Sequence, residues 1–228
     1  MPYSFTIAAW SECSDCQAES GNPSPTLVAV PKPLQRRLTP LAKCVFHAIG
    51  HCVEPNEALP AVFSSAHGEI GKSLRMLEAL QAGEPLSPTA FSLSVHNGIA
   101  GLYSMAYGNR QEISVLAPAA GGLGPGFIEA LGMLREGRPH VLLVFYDETL
   151  PSFYPVEPFR LSAGASYALA LKLAAGGDGL RMCFGLAEDS RHDGEQSLQL
   201  PAFIKFLAST QNELCLGDQG RSWQWQKL

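Results

Sequence analysis

Cysteine and histidine side chains at two places in the chain have the chemistry to bind a metal ion. Cys13 and Cys16 lie three positions apart, His47 and His51 lie four apart, and Cys44 precedes His47 by three. The combination is superficially similar to a zinc module. However, 30 residues separate the two pairs, whereas the finger pattern has about 12–15. A buried helix face of cysteine and histidine is commoner, so a metal site at Cys44, His47 and His51 is an alternative only.

A glycine-rich turn, Gly121–Gly126, offers a second kind of chemistry. It lies between a predicted strand and a predicted helix, and Asp147 ends the next predicted strand. This order is typical of a dinucleotide-binding turn. The spacing of the glycines does not fit, because the last position of a G-x-G-x-x-G pattern that starts at Gly122 is Phe127. Nucleotide binding is therefore an alternative, and close backbone packing explains the glycines equally well.

His96 and Asn97 form an unusual polar pair within an apolar stretch that is rich in small residues. Hydrogen bonding within a buried interface is the simplest interpretation of such a pair. The sequence contains no G-x-S-x-G motif. It also has no cysteine at a strand-to-helix turn, where a helix N-terminus lowers the pKa of a thiol. Nucleophilic catalysis therefore has little support.

An alternation of strands and helices is expected to position these residues. The apolar periodicity predicts strands at 4–10, 61–65, 113–117, 141–146, 162–173, 182–186 and around 223–225. It predicts helices after Thr39, at 70–80, 92–107, 127–134 and 201–208, and loops at 17–34 and 188–199. The alternation is typical of an α/β fold with a largely parallel sheet covered on both faces. We expect a single domain over 1–228, with a reduced second half at 151–228.

The amino-acid composition indicates which kind of partner the chain could bind. The 228 residues carry a net charge of −5 and no basic block, so a groove for nucleic acid is not expected. Charged residues make up 16% of the chain, below the ~25% usual for globular domains. A surface that is poor in charge suggests that a partner covers part of it.

The cellular compartment follows from two further patterns. The first ten residues lack the basic and apolar regions of a signal peptide. No apolar run approaches the ~20 residues that a membrane-spanning helix needs. The six cysteines of such a chain are expected to be free thiols. We therefore expect a cytoplasmic protein with no membrane span.

The stretch 87–101 contains the most specific motif of the chain, SPTAFSLSVHNGIAG. The strand at 113–115 and the segment 131–148 follow it. Together they resemble the N-terminal half of the β-ketoacyl synthases, the thiolase-fold condensing enzymes, in which an "SP..F..SVHN..AG" helix lies at the dimer interface. Segments 36–38 and 63–68 fit the same half, and 158–171 is faintly similar to the start of the second half. The resemblance is absent after about residue 175.

Departures from this family concern its catalytic groups. The resembled enzymes carry a nucleophilic cysteine where this chain has Ala119 or Ala120. A methyl group forms no thioester, so acyl transfer through this position is excluded. The second half of those enzymes also supplies two histidines for decarboxylation. After residue 175 this chain has only His192, in a polar loop.

The resemblance therefore implies a chain-length factor, a catalytically inert subunit that pairs with an active ketosynthase and shapes the tunnel for the growing chain. The short length is similar to that of the compact chain-length factors of aryl polyene biosynthesis. There, the partner ketosynthase extends a chain bound to an acyl carrier protein. The resemblance implies no cofactor.

Two groups of site residues are carried over from the resembled family. The partner interface is expected to include the following residues of the "SVHN" helix: His96, Asn97, Gly98, Gly101 and Met105. The gate that closes the product tunnel is expected at His67, Ile70, Leu74 and Phe91. The size of the gate side chains would set the length at which the product stops.

Overall fold

The computed structural model of the chain describes residues 2–14, 27, 30–118, 121–151, 166–187, 196–218 and 221–228. The strands are β1 (Tyr3–Ser14), β2 (Ala61–Ser64), β3 (Ile113–Leu116), β4 (His140–Asp147), β5 (Tyr167–Ala174), β6 (Leu180–Ala187), β7 (Glu213–Asp218) and β8 (Arg221–Lys227). The helices are α1 (Lys32–Gln35), α2 (Pro40–Gly50), α3 (Ile70–Gln81), α4 (Pro88–Ser94), α5 (Gly98–Tyr107), α6 (Gly124–Arg135) and α7 (Gln196–Ala208).

The eight described strands form one mixed sheet in the order β3-β2-β4-β5-β1-β6-β8-β7. Only β2 pairs in parallel, with β3 on one side and β4 on the other, and the remaining described pairs are antiparallel. The prediction of a largely parallel sheet is therefore wrong. Parallel neighbours require a long crossover, usually a helix. Helical connections also join β1 to β2 and β6 to β7, but those strands are not neighbours in the sheet.

Helices cover both faces of the sheet, as the sequence predicted. On the first face, α2 and α5 share an apolar cluster with Phe63, Val144 and Ala170. On the second face, α6 and α7 share a cluster with Val62 and Leu143. Successive residues of a strand point to opposite faces, so the continuous apolar runs of β2 and β4 serve both clusters.

The start of α2 confirms the helix predicted after Thr39. The Thr39 side chain accepts a hydrogen bond from Ala42 N at 3.1 Å, and Pro40 occupies the first turn. Both features are expected at a helix N-terminus, where the first N–H groups have no partner within the helix. The apolar face that follows, including Val45 and Ile49, is completely buried.

The single helix predicted at 92–107 is wrong, because the chain forms two helices there. α4 ends at Ser94, Val95 is extended with ψ 152°, and α5 begins at Gly98. A Cβ atom at Gly98 would lie 2.8 Å from the Leu93 carbonyl oxygen. The glycine therefore permits the close approach that turns α4 into α5.

Three further differences separate the observed elements from the predicted ones. α7 begins within the loop predicted at 188–199, and β7 was not predicted at all. Most of the loop predicted at 17–34 lies outside the described residues, but its last part forms α1. In the described part of the chain, no helix has the length and apolar character needed to cross a membrane.

Candidate functional site

The loop between β2 and α3 is fixed by the buried carboxylate of Asp147 at the end of β4. Asp147 Oδ1 accepts a hydrogen bond from Ser65 Oγ at 3.0 Å. The same oxygen accepts from Ala66 N at 2.8 Å and from His67 N at 3.4 Å. Ser65 Oγ in turn accepts from Gly68 N at 2.8 Å. The end of β4 thus anchors the loop that carries His67.

His67 and His96 lie close together at this end of the sheet. Gly68 has φ +60°, and a Cβ atom there would lie 3.1 Å from His96 Nδ1, so glycine serves both the turn and the close approach. His96 Nε2 donates to the Leu116 carbonyl oxygen at 3.0 Å. Burial lowers the pKa of His67, and His96 lowers it further. The structure therefore favours neutral His67.

Charged side chains fix the first turn of α3. Glu69 is buried, accepts a hydrogen bond from Thr39 Oγ1 and pairs with Lys72 at 2.6 Å. Lys72 Nζ also donates to the Leu93 carbonyl oxygen of α4 at 3.3 Å. Glu148 accepts a hydrogen bond from Gly71 N at 3.3 Å, and burial raises its pKa. These contacts position the start of α3 against β4 and α4.

The four expected gate residues lie on the loop after β2, on α3 and on α4. His67, Ile70 and Leu74 are half-buried, whereas Phe91 is 60% exposed. A groove of about 500 Å³ lies between α3 and α4, and none of the four lines it. Its lining includes Arg37, Lys72, Met76, Ala79 and Leu93. The gate stays a prediction.

Four of the five expected interface residues line one surface groove of about 410 Å³: Asn97, Gly98, Gly101 and Met105. Gly101 faces outward, since a Cβ atom there would meet nothing within 4 Å. His96 instead contacts β3, on the inner side. Sequence reasoning missed Arg37, Thr89 and Ser92, which line the same groove but belong to other elements.

Exposed apolar side chains concentrate on α3, on α4 with the turn that follows it, and on α5. Of the nine large apolar side chains that are exposed in the described part of the chain, five lie between 77 and 105. We call these five the hairpin surface: Leu77, Leu80, Phe91, Val95 and Met105. Neither α3 nor α4 contains a buried residue. Several exposed apolar side chains in one region are typical of an interaction surface.

The expected nucleophile positions, Ala119 and Ala120, lie outside the described residues. The glycine turn that follows is packed against protein side chains. A Cβ atom at Gly122 would lie 2.0 Å from Gln199 Oε1, and one at Gly124 would lie 2.1 Å from the Trp223 ring. Trp223 Nε1 also donates to the Gly121 carbonyl oxygen at 3.0 Å. The glycines therefore serve close packing, and this geometry gives no support to the nucleotide alternative.

The metal alternative also lacks geometric support. Cys44 is buried in the apolar cluster of α2. His51 Nδ1 lies 2.8 Å from the His47 carbonyl oxygen, and the two imidazole rings are 4.4 Å apart. Among the described residues, no group of three or more histidine, cysteine, aspartate or glutamate side chains is arranged to hold a metal ion. Cys16, from the other predicted pair, lies outside them.

Several solved structures have a similar backbone. A chain from the complex of the ketosynthase ApeO with its chain length factor ApeC, from Xenorhabdus doucetiae, matches with a TM-score of 0.73 and 22% identity. The match covers 98% of this chain and 99% of that chain. The ketosynthase from module 1 of the bacillaene synthase of Bacillus amyloliquefaciens FZB42 matches with a TM-score of 0.55 and 13% identity. That match covers 82% of this chain but only 46% of the ketosynthase.

A third structure is the complex AntDE:AntF, a type II PKS acyl-carrier protein with its ketosynthase. It matches with a TM-score of 0.59 and 10% identity, over 100% of both chains. None of the curated proteins compared with the chain matches it. These structural neighbours show a thiolase-like ketosynthase fold.

The family comparison covers almost the whole chain. The β-ketoacyl synthase N-terminal domain matches residues 8–226. The sequence resemblance was expected to end near residue 175, so the match extends it through β6, α7 and the last two strands. The chain belongs to the family of the β-ketoacyl synthase N-terminal domain.

Proposed function

We propose that this chain is a non-catalytic chain-length factor that pairs with an active ketosynthase in polyketide chain elongation of the aryl polyene type. One observation carries the proposal. The chain matches, over nearly the full length of both, a chain from a complex of a ketosynthase with its chain length factor. By contrast, it spans less than half of the bacillaene ketosynthase chain. An acyl carrier protein would meet this subunit through the complex.

The alanines at 119 and 120 and three buried thiols support a non-catalytic role. The sequence has alanine at 119 and 120, where the resembled enzymes have their cysteine. Cys13, Cys44 and Cys52 are buried in the first apolar cluster. Burial raises the pKa of Cys52 to about 12, which keeps it as the unreactive thiol. An acyl group therefore has no suitable nucleophile among these three.

The hairpin surface supports pairing. Permanent complexes bury about 2,000 Å² or more and have apolar interfaces that include aromatic and methionine side chains. Phe91 and Met105, each 60% exposed, are side chains of this kind. Met105 also lines the groove at Gly101, which offers room for a partner backbone. Ketosynthase binding would remove this apolar area from water.

The first experiment tests pairing and inertness together. The chain is co-expressed with a ketosynthase that has an intact cysteine, taken from the same gene cluster, and the mass of the purified complex is measured. We expect a heterodimer, with malonyl-dependent extension of a carrier-bound starter only when both subunits are present. A chain that remains alone, or that extends the starter by itself, would contradict the proposal. With a cysteine-directed ketosynthase inhibitor, residues 112–126 should stay unmodified.

The second experiment tests the gate. Ile70→Ala and Phe91→Ala remove bulk and are expected to lengthen the product, whereas Ser73→Phe adds bulk and is expected to shorten it. A tightly packed wall cannot accept two more carbons without strain, so side-chain volume sets the stopping point. Product length is measured by the absorption maximum of the polyene. Gln81→Ala, at the exposed end of α3 and outside the hairpin surface, is the control and should leave the length unchanged.

Unchanged products from all three gate variants, with the heterodimer intact, would place the control of chain length in the partner ketosynthase. Pairing and extension would still stand in that case. The two experiments therefore separate the role as a partner subunit from the role as a ruler.

A further inference from the structure

A cleft of about 650 Å³ lies on the second face of the sheet. It is bounded by the outer side of α6, by β6 and β8, and by the start of β1. Its more buried lining residues, Leu131 and Phe184, belong to the apolar cluster of that face. The hairpin surface borders the first face instead, where Leu93 of α4 packs against the other cluster. The volume falls within the range of about 300–1,000 Å³ that is usual for small-molecule sites.

Exposed apolar side chains line this cleft. Four large apolar side chains of the described residues are exposed outside the hairpin surface, and three of them, Tyr3, Ile128 and Leu186, lie here. Leu186 is 74% exposed. Single exposed apolar residues are ordinary, but three around one concave surface are typical of a binding site.

The residues that line the cleft carry positive charge and no negative charge. Among its lining residues, Arg135 is charged, and neither aspartate nor glutamate is present. The guanidinium carbon of Arg135 lies 4.2 Å from the centroid of the Tyr3 ring, a cation–π contact that holds it at the rim. Within the described residues, no carboxylate pairs with Arg135. Arg138, three positions further, pairs with Glu112 at 3.5 Å and does not line the cleft.

We propose that this cleft binds an apolar monocarboxylate, such as a medium-chain fatty acid. The hydrocarbon chain would pack against Ile128, Phe184 and Leu186, and the carboxylate would accept hydrogen bonds from the Arg135 guanidinium. Guanidinium groups bind carboxylates with two parallel hydrogen bonds, which favours a carboxylate over a neutral head group. The cleft and the hairpin surface lie on different faces, so this proposal does not rest on pairing with a ketosynthase.

Binding is tested by calorimetry of the full chain with decanoate, and with decylamine as the probe of opposite charge. We expect saturable binding of decanoate at one site and at least tenfold weaker binding of decylamine. Arg135→Gln should weaken decanoate binding about tenfold, the scale expected for a lost charged hydrogen-bond partner. Arg138→Gln is the matched control, three residues beyond the end of α6, and should bind as the unchanged chain does.

A second variant and a mapping experiment complete the test. Leu186→Glu places a negative charge on the wall and should weaken decanoate binding more than Arg135→Gln does. Thermal unfolding of each variant checks that the fold is intact. A photoreactive diazirine analogue of decanoate should cross-link within 128–135 or 183–186. Cross-links confined to 77–105, equal binding by Arg135→Gln and the unchanged chain, or no saturation at about 1 mM would overturn the proposal.

Discussion

Two neighbouring helical regions differ in what they bury. α5 places Ile99, Leu102 and Tyr103 in the first apolar cluster, and all three are almost fully buried. The hairpin of α3 and α4, which precedes α5 directly, contains no buried residue although it is rich in leucine. Apolar content alone therefore does not decide burial. The deciding factor is whether the chain itself supplies the surface that covers the helix.

Polar contacts near the start of α3 hold the hairpin to the rest of the chain. The Glu69–Lys72 pair, the bond from Lys72 to α4 and the bond from Gly71 N to Glu148 all lie there. The other end of α3 exposes Leu77 and Leu80. A region with few buried apolar contacts opens locally at a lower free energy than the core does. We expect the hairpin to gain stability when a partner covers it.

The largest expected effect is a difference between two leucine truncations. Leu102→Ala should lower the free energy of unfolding by about 2–5 kcal/mol, because Leu102 is 1% exposed and its loss leaves a cavity. Leu77→Ala should change it by less than about 0.5 kcal/mol, because Leu77 is 63% exposed. Urea denaturation of the isolated chain measures both. Similar losses for the two variants would mean that the hairpin already has a buried face.

The second prediction concerns the partner. Phe91→Asp should weaken binding to the ketosynthase about 30-fold, the size expected for an aromatic residue at the centre of an interface. Its free energy of unfolding should stay within about 0.5 kcal/mol of the unchanged chain, since the side chain is exposed. Leu186→Asp, on the second face, is the control. If it disrupts the complex as strongly as Phe91→Asp does, the hairpin surface is not the specific interface.

Two glycines of α5 allow a sharper test of the difference between buried and exposed positions. Gly98→Ala should destabilise the chain by about 1–3 kcal/mol, because its Cβ would lie 2.8 Å from the Leu93 carbonyl oxygen. Gly101→Ala should stabilise the isolated chain by about 0.5–1 kcal/mol, since its Cβ meets nothing and alanine favours helix.

Gly101→Leu should then leave the isolated chain folded and weaken the heterodimer, because the larger side chain fills the groove. Thermal unfolding and co-purification measure the two effects separately. An intact complex with Gly101→Leu would exclude close contact between the partner and this position.

The smallest expected effect is on pH dependence. The lowered pKa of His67 means that the folded chain binds fewer protons than the unfolded chain below about pH 6.5, so stability falls as the pH is lowered there. The raised pKa of Glu148 acts in the opposite direction, because stability falls as the pH rises above 4.5. His67→Gln and Glu148→Gln should therefore change the slope of stability against pH with opposite signs. Equal slopes in all three proteins would contradict both pKa shifts.

Local signals predicted most of the first half of the fold. Thr39 and Pro40 marked the start of α2, and the apolar runs marked β2 and β4. These features depend on a few neighbouring residues. The break between α4 and α5 escaped prediction because it depends on a backbone contact at Gly98, which periodicity does not record. β7 escaped because its sequence ELCLGD has only a short apolar pattern.

At the candidate site, too, local sequence patterns were predictable and non-local contacts were not. The family resemblance indicated the stretch that forms α5, and four of the residues it gave line one groove. It could not indicate that His96 faces inward to Leu116 while Met105 faces outward. That distinction depends on the position of β3, which pairs with β2 across more than 45 residues of intervening sequence. Non-local pairing of this kind is not readable from either segment alone.

The position of β1 in the sheet has a consequence for the order of events during translation. One edge of β1 pairs with β5 and the other with β6, so its partners span residues 167–187. At a ribosomal rate of about 5–20 residues per second, β1 waits roughly 8–30 s for its first partner. Phe5 and Ile7, which are buried in the finished sheet, lack their strand partners throughout that interval. We therefore expect the sheet to close around β1 only after β5 has left the ribosome.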